Sequence, residues 1–136
     1  MSPEAIEMGD GMRRLKVGRP SDVWSLGCIL YQMVYGHPPF HHLGMVQKMK
    51  AIPDPNHVID FPVHAVPSVP GARNAQGASS PVRKLEHLAK PVREDVKRTM
   101  QKCLTRNPKD RATIPELLDE DWLSMKEGKL RMLQRL

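Results

Sequence analysis

A chain of 136 residues has room for one hydrophobic core, and its 40% apolar content is enough to build one. Its 13 prolines and 4% aromatic content predict substantial irregular structure around that core. The 21 basic residues outnumber 15 acidic ones, giving a net charge of +6, but they are spread along the chain without interleaved aromatics, which argues against a nucleic-acid partner.

In chain order the elements read as mainly α. Ser2 is an N-cap with Pro3 and Glu4 in the first turn, which predicts a short helix to Met8. Residues 9–20, rich in glycine and basic side chains, read as an exposed loop, with Arg13, Arg14, Lys16 and Arg19 its one local basic cluster. A helix then runs to about Tyr35 with Val23, Leu26, Ile29, Leu30, Met33 and Val34 on all its faces, the pattern of a buried helix. Asp22 at its mouth must find hydrogen-bond donors or solvent, because a buried unpaired carboxylate is costly. Gly36, with Pro38 and Pro39 beyond, stops the helix.

Met45, Met49 and Ile52 mark a further helix, ended by Pro53 and Pro55. Residues 62–91, crowded with Pro, Ala, Ser and Gly and lacking a sustained period, read as a mobile insert. Val96, Met100, Cys103 and Leu104 mark the next helix. Thr113 and Glu116 form a capping box for the last one, with Leu117 and Leu118 expected to face inward. Residues 126–136 are a C-terminal tail in which Leu130, Leu133 and Leu136 give weak helical support.

Cys28 and Cys103 sit in apolar helical patterns, as buried thiols of a reducing compartment do, and no signal peptide or bilayer-spanning stretch is present. The expectation is an intracellular protein, neither secreted nor held in a membrane. His37, His41 and His42 read as solvated loop residues and not as a metal site. Trp24 and Trp122 read as packing residues.

The run Ser21-Asp22-Val23-Trp24-Ser25-Leu26-Gly27 resembles the central buried helix of the protein-kinase large lobe. Ser2-Pro3-Glu4 resembles the Ala-Pro-Glu triplet that closes the activation segment, with Ser in place of Ala. Gly36-His37-Pro38-Pro39-Phe40 resembles the Gly-x-x-Pro-Phe turn after the central helix, and Asn107-Pro108-Lys109-Asp110-Arg111 the later Asp-Pro-x-x-Arg stretch, with Asn107 for the usual Asp. The resemblance implies a partial kinase large lobe over residues 1–125. It implies a Glu4–Arg111 ion pair, Asp22 as the anchor of the catalytic loop, Trp24 and Gly27 as structural residues, and Met1 as the end of the substrate-docking segment.

The stretch from Asp22 to Tyr31, then Ala51-Ile52-x-Asp54-Pro55-Asn56-His57, Phe61-Pro62 and Thr113-Ile114-Pro115-Glu116-Leu117-Leu118, is similar to the monopolar-spindle family of dual-specificity kinases. The lead-in from Arg13 to Pro20 and the long insert look like its fungal members. That likeness implies transfer of phosphate from ATP to Ser, Thr or Tyr of protein substrates, kinetochore or spindle partners, a nuclear, kinetochore or spindle location, and a role in the spindle checkpoint.

The family's ATP-handling parts are missing from these 136 residues. There is no complete Gly-rich loop, no strand lysine, no catalytic-loop Asp and Asn, and no Mg²⁺-binding Asp-Phe-Gly. Gly9-Asp10-Gly11 is followed by Arg14 where a third glycine belongs, and Asp60-Phe61-Pro62 lies on the wrong side of the central helix. The expectation is a chain that binds neither ATP nor Mg²⁺ by itself, although the intact family uses both. Met1 falls where the family has the methionine before its triplet, which points to a truncated or internally started gene model. The alternative reading is a non-catalytic half-kinase that binds partners. Ser80-Pro81-Val82-Arg83 resembles a cyclin-dependent kinase acceptor, making Ser80 a candidate phosphosite.

Overall fold

A computed structural model of the chain describes residues 1–7, 18–69 and 83–124. The order is α1 (Pro3–Glu7), α2 (Arg19–Tyr35), α3 (Met45–Ala51), β1 (His64–Ala65), β2 (Ser68–Val69), β3 (Arg83–Lys84), β4 (Lys90–Pro91), α4 (Glu94–Cys103) and α5 (Ile114–Leu118). A single 3₁₀ turn, Glu86–Leu88, lies between β3 and β4.

Helix α2 is the axis. Pro20 in its first turn fits a helix start, since its missing N–H has no intrahelical partner there. Gly36 ends it in the left-handed conformation, φ 84°, with its N–H donating to the Gln32 carbonyl. Trp24, Tyr31 and Tyr35 of α2 join Phe40, Ile52, Ile59, Met100 and Leu104 in the main core, and Val23 packs with Cys103, Ala112 and Leu117 in a second cluster. Helix α4 supplies Met100 and Cys103 from one face, so the α2–α4 crossing is where the two clusters meet.

The reading of α2 as buried all round is corrected. Leu26, Ile29 and Met33 are exposed and line an apolar groove of about 340 Å³ with Ile114, Leu118 and Leu123. Helix α4 covers one side of α2, and α5 with the turn after it borders this one without filling it. Leu118, expected inside, is also exposed; α5 buries Leu117 alone. Adjacent helical residues point about 100° apart, so a single-turn helix buries one of the two. Helix α3 buries nothing along its length, so Met45 and Met49 do not mark an inward face; Ile52, just past its end, is what enters the core.

The described ends of segment 62–91 also depart from the mobile-insert reading, while residues 70–82 lie outside the described residues. The ends pair: His64 with Pro91 and Ala65 with Lys90 in one antiparallel ladder, Ser68 with Lys84 and Val69 with Arg83 in another. The Val92 N–H donates to the Val63 carbonyl, closing the base of this ribbon. Tyr31 and Tyr35 hold the strand entering it, their hydroxyls donating to the carbonyls of Asp60 (2.7 Å) and Pro62 (2.8 Å). Burial above all raises the Tyr31 phenol to about 12, so it stays a donor. The tail 126–136 and the basic cluster from Arg13 to Lys16 lie outside the described residues.

Candidate functional site

Arg111 and Glu4 meet although 107 positions separate them. The guanidinium makes a two-pronged contact, Nη1 to Oε1 at 2.8 Å and Nη2 to Oε2 at 3.0 Å. Its other donors reach the carbonyls of Thr105 (Nε, 2.7 Å), Pro20 (Nη1, 2.7 Å) and Arg106 (Nη2, 3.0 Å). Five N–H groups find five acceptors, so the fork is saturated. The Arg111 side chain is 0% exposed and that of Glu4 17%.

Local structure holds each partner in place. Pro3 and Glu4 open α1, and Ser2 accepts the Ala5 and Ile6 N–H groups through its carbonyl. The Ser2 hydroxyl, expected as a side-chain cap, donates instead to Ser21 Oγ, and the Ser21 hydroxyl donates to Glu4 Oε1. The Asn107–Arg111 turn is built by Asn107: its Oδ1 accepts the Lys109 N–H and its carbonyl accepts the N–H groups of Asp110 and Arg111. Asn107 makes the turn, and its Nδ2 also donates to Asp110 Oδ2 (3.0 Å). Trp24 forms one wall, its ring 5.2 Å from Arg111 Cζ.

Burial acts to raise the Glu4 carboxyl pKa, but the hydrogen bonds from Arg111, its own backbone and Ser21, with the Arg111 charge, outweigh it and hold the group at about 2 instead of 4.5. Because every guanidinium proton is engaged within the protein, this centre has nothing left to offer a phosphate or carboxylate ligand. Its chemistry is that of a clasp.

Gly27 stands where α2 and α4 touch. A Cβ there would lie 2.6 Å from Cys103 Cβ and 3.0 Å from Leu104 Cδ2, so only glycine fits this approach. Burial raises the Cys103 thiol to about 11 and also raises that of Cys28, which keeps both protonated and weakly nucleophilic near neutral pH.

Asp22 is not part of the clasp. It sits in the first turn of α2, exposed, with no side-chain hydrogen bond to another described residue. Met1 is 71% exposed. Ser80 lies outside the described residues. Sequence reasoning missed Ser21 and Arg106. The Arg106 guanidinium donates to the carbonyls of Ile52 (2.8 Å) and Ala51 (3.4 Å), satisfying the end of α3. Ser21 was visible beside Asp22 but nothing local aims its hydroxyl at Glu4, and no local signal ties Arg106 to α3.

Gly9-Asp10-Gly11 lies outside the described residues, and among the described residues the side chains do not fit an ATP–Mg²⁺ site. The Asp60 carbonyl takes the Tyr31 hydroxyl and the Phe61 ring packs 5.8 Å from that of Tyr31, so Asp60-Phe61-Pro62 is a strap over the core. Among the described residues no group of three His, Cys, Asp or Glu side chains is placed to hold a metal ion. No helix among the described residues is long and apolar enough to cross a membrane.

Residues 1–123 match the protein kinase domain. The chain is 43% identical over 129 residues to serine/threonine-protein kinase mph1 of Schizosaccharomyces pombe, a match covering 91% of this chain and 18% of that protein. It is 36% identical over 129 residues to probable serine/threonine-protein kinase mps1 of Dictyostelium discoideum, covering 92% of this chain and 10% of that one. Against dual specificity protein kinase TTK of Mus musculus it is 37% identical over 131 residues, covering 92% and 12%. The chain thus spans less than a fifth of the length of these relatives. A family match over nearly the whole sequence, with relatives that are serine/threonine and dual-specificity kinases of the Mps1/TTK type, establishes that this chain belongs to the protein kinase domain family.

Proposed function

We propose that the chain is the substrate-side, helical part of the large lobe of a dual-specificity protein kinase, and that it supplies scaffold without carrying out phosphoryl transfer itself. The intact protein would transfer the ATP γ-phosphate, with Mg²⁺, to protein substrates of the kinetochore or spindle during checkpoint signalling, and would work in the nucleus or on those structures. The observation that carries this reading is the saturated Arg111–Glu4 clasp over Trp24, which ties the first helix and the turn before the last one to a central helix that leaves Leu26, Ile29 and Met33 exposed along an apolar groove. In this reading Asp22 at the helix mouth anchors the backbone of a catalytic loop, and the Leu26–Ile29–Met33 side receives the rest of the lobe. Phosphoryl transfer depends on positioning ATP, metal and acceptor together, and the groups that do so in this family are not among these residues.

The test has two arms. The 136-residue chain alone, given Mg·ATP and a protein acceptor, should incorporate no phosphate after stringent purification. Fusing the preceding part of the Mus musculus TTK kinase domain ahead of Met1 should yield activity, and Asp22→Ala in that fusion should abolish it. Activity of the chain alone that is lost on Asp22→Ala would overturn the reading. So would a folded, ATP-binding fusion that is indifferent to Asp22→Ala. The open apolar side also suits the alternative, a non-catalytic half-kinase that binds partners or competes with a full-length form. A stable cellular product that begins at Met1 and copurifies with a partner would favour it.

A further inference from the structure

Helix α3 carries an apolar stripe that faces water. Met45 is 82% exposed, Val46 69% and Met49 44%, and nothing in this helix is buried. Single exposed apolar residues are ordinary, but three adjoining ones on a single short helix form a patch. On a 3.6-residue period Met45, Val46 and Met49 share a face, Lys48 falls on one flank of it and Lys50 on the other.

The helix is firmly set. Gln47 Oε1 accepts the Gly44 N–H at its start, Arg106 takes the carbonyls at its end, and Ile52 is seated in the core. From Gly36 to Ile52 the sequence holds His37, His41, His42, Lys48 and Lys50 and not one Asp or Glu. The first carboxylate beyond, Asp54, has its Oδ1 engaged by the Asn56 N–H. A rigid apolar stripe lined by cations on both flanks, in a region without carboxylates, matches one kind of occupant in charge and shape.

We infer that the α3 face is a docking surface for an acidic amphipathic peptide segment of a partner protein, whose apolar side chains cover Met45, Val46 and Met49 while its carboxylates reach Lys48 and Lys50. Methionine suits this role, because its flexible thioether adapts to differently shaped partners. The flanking lysines contribute mainly orientation and encounter rate, so binding weakens with salt. The inference extends the scaffold reading by giving the partner's chemistry. It does not depend on phosphoryl transfer, so a failed kinase fusion and a failed docking surface are separate results.

The probe is a short fluorescein-labelled helical peptide with leucine on one face and glutamate on its flanks, and its twin with lysine for every glutamate. Fluorescence anisotropy with the full 136-residue chain should detect the acidic peptide and not the basic twin. Lys48→Glu with Lys50→Glu should weaken the acidic peptide at least about tenfold and admit the twin, while Met45→Ser with Met49→Ser should weaken the acidic peptide similarly. Leu118→Ser, an exposed change in another helix, should leave binding unchanged. Met45, Met49 and Lys50 are exposed and Lys48 is half-buried, so circular dichroism and melting should not move in the Met45→Ser with Met49→Ser pair, and the charge-swap pair reports specificity independently of stability. Equal binding of both peptides to the native chain, or unchanged binding in both α3 variants, would overturn the proposal. Self-association removed by Met45→Ser with Met49→Ser would assign the face to a second copy and overturn it as well.

Discussion

Arg111 spends all of its donors inside the protein, so its removal has two consequences: Glu4 loses its counter-charge and three backbone carbonyls lose their partner. Arg111→Met should therefore cost about 3–5 kcal/mol, measured by urea unfolding, in contrast to the roughly 0–1 kcal/mol of an exposed pair. Glu4→Gln should cost less, because the amide oxygen can still accept one guanidinium proton. The pH response has a definite sign. The folded Glu4 carboxyl titrates at about 2, below its ordinary 4.5. The stability it contributes is therefore fully present above about 4.5 and is lost as the pH falls toward about 2. A Glu4→Gln chain should lack that part of the acid transition, so the gap between its stability and the native chain's should narrow over this window. A gap constant from neutral pH to the acid limit would contradict the assignment.

Among the elements, the α2–α4 crossing is set by one missing methyl group. Gly27→Ala would drive Cβ against Cys103 Cβ and separate the two helices, at a cost of about 1–3 kcal/mol that outweighs alanine's helix propensity. Thermal melting should show that Cys103→Ala does not rescue this variant, since the offending Cβ stays, while Cys103→Gly recovers part of the loss. Rescue by Cys103→Ala would mean the sulfur, not the backbone approach, sets the distance. Element ends such as Gly36 and the α4 face with Met100 and Cys103 were legible in the sequence, because glycine stops and helical periods are local signals. Which side of α2 stays open was not legible, since apolar residues occupy all its faces and only the position of α4 selects among them. The pairs at His64–Ala65 and Ser68–Val69 are too short for an alternating pattern to register. The Glu4–Arg111 pair was readable only through family resemblance, as 107 positions separate its members and no periodicity reaches so far.

At the scale of the whole molecule, the groove bordered by Leu26, Ile29, Met33 and Leu118 leaves a contiguous apolar surface in water. The isolated chain should accordingly be marginally stable and self-associate as its concentration rises; Ile29→Glu with Leu118→Lys should raise its solubility in light scattering while leaving circular dichroism unchanged. Cooperative unfolding of the native chain at high temperature as a monomer would refute this. The ties across the fold have a further consequence. Glu4 to Arg111, α2 against α4, Arg106 to the end of α3, and both strand pairs all join a residue before position 70 to one after position 82. The described residues on either side of 70–82 are therefore complementary pieces held to each other by these ties. A protease site inserted between Ala75 and Gln76 should give, once cut, two fragments that travel together on a sizing column and part only in denaturant. Separately expressed, the same fragments should find each other and rebuild the clasp.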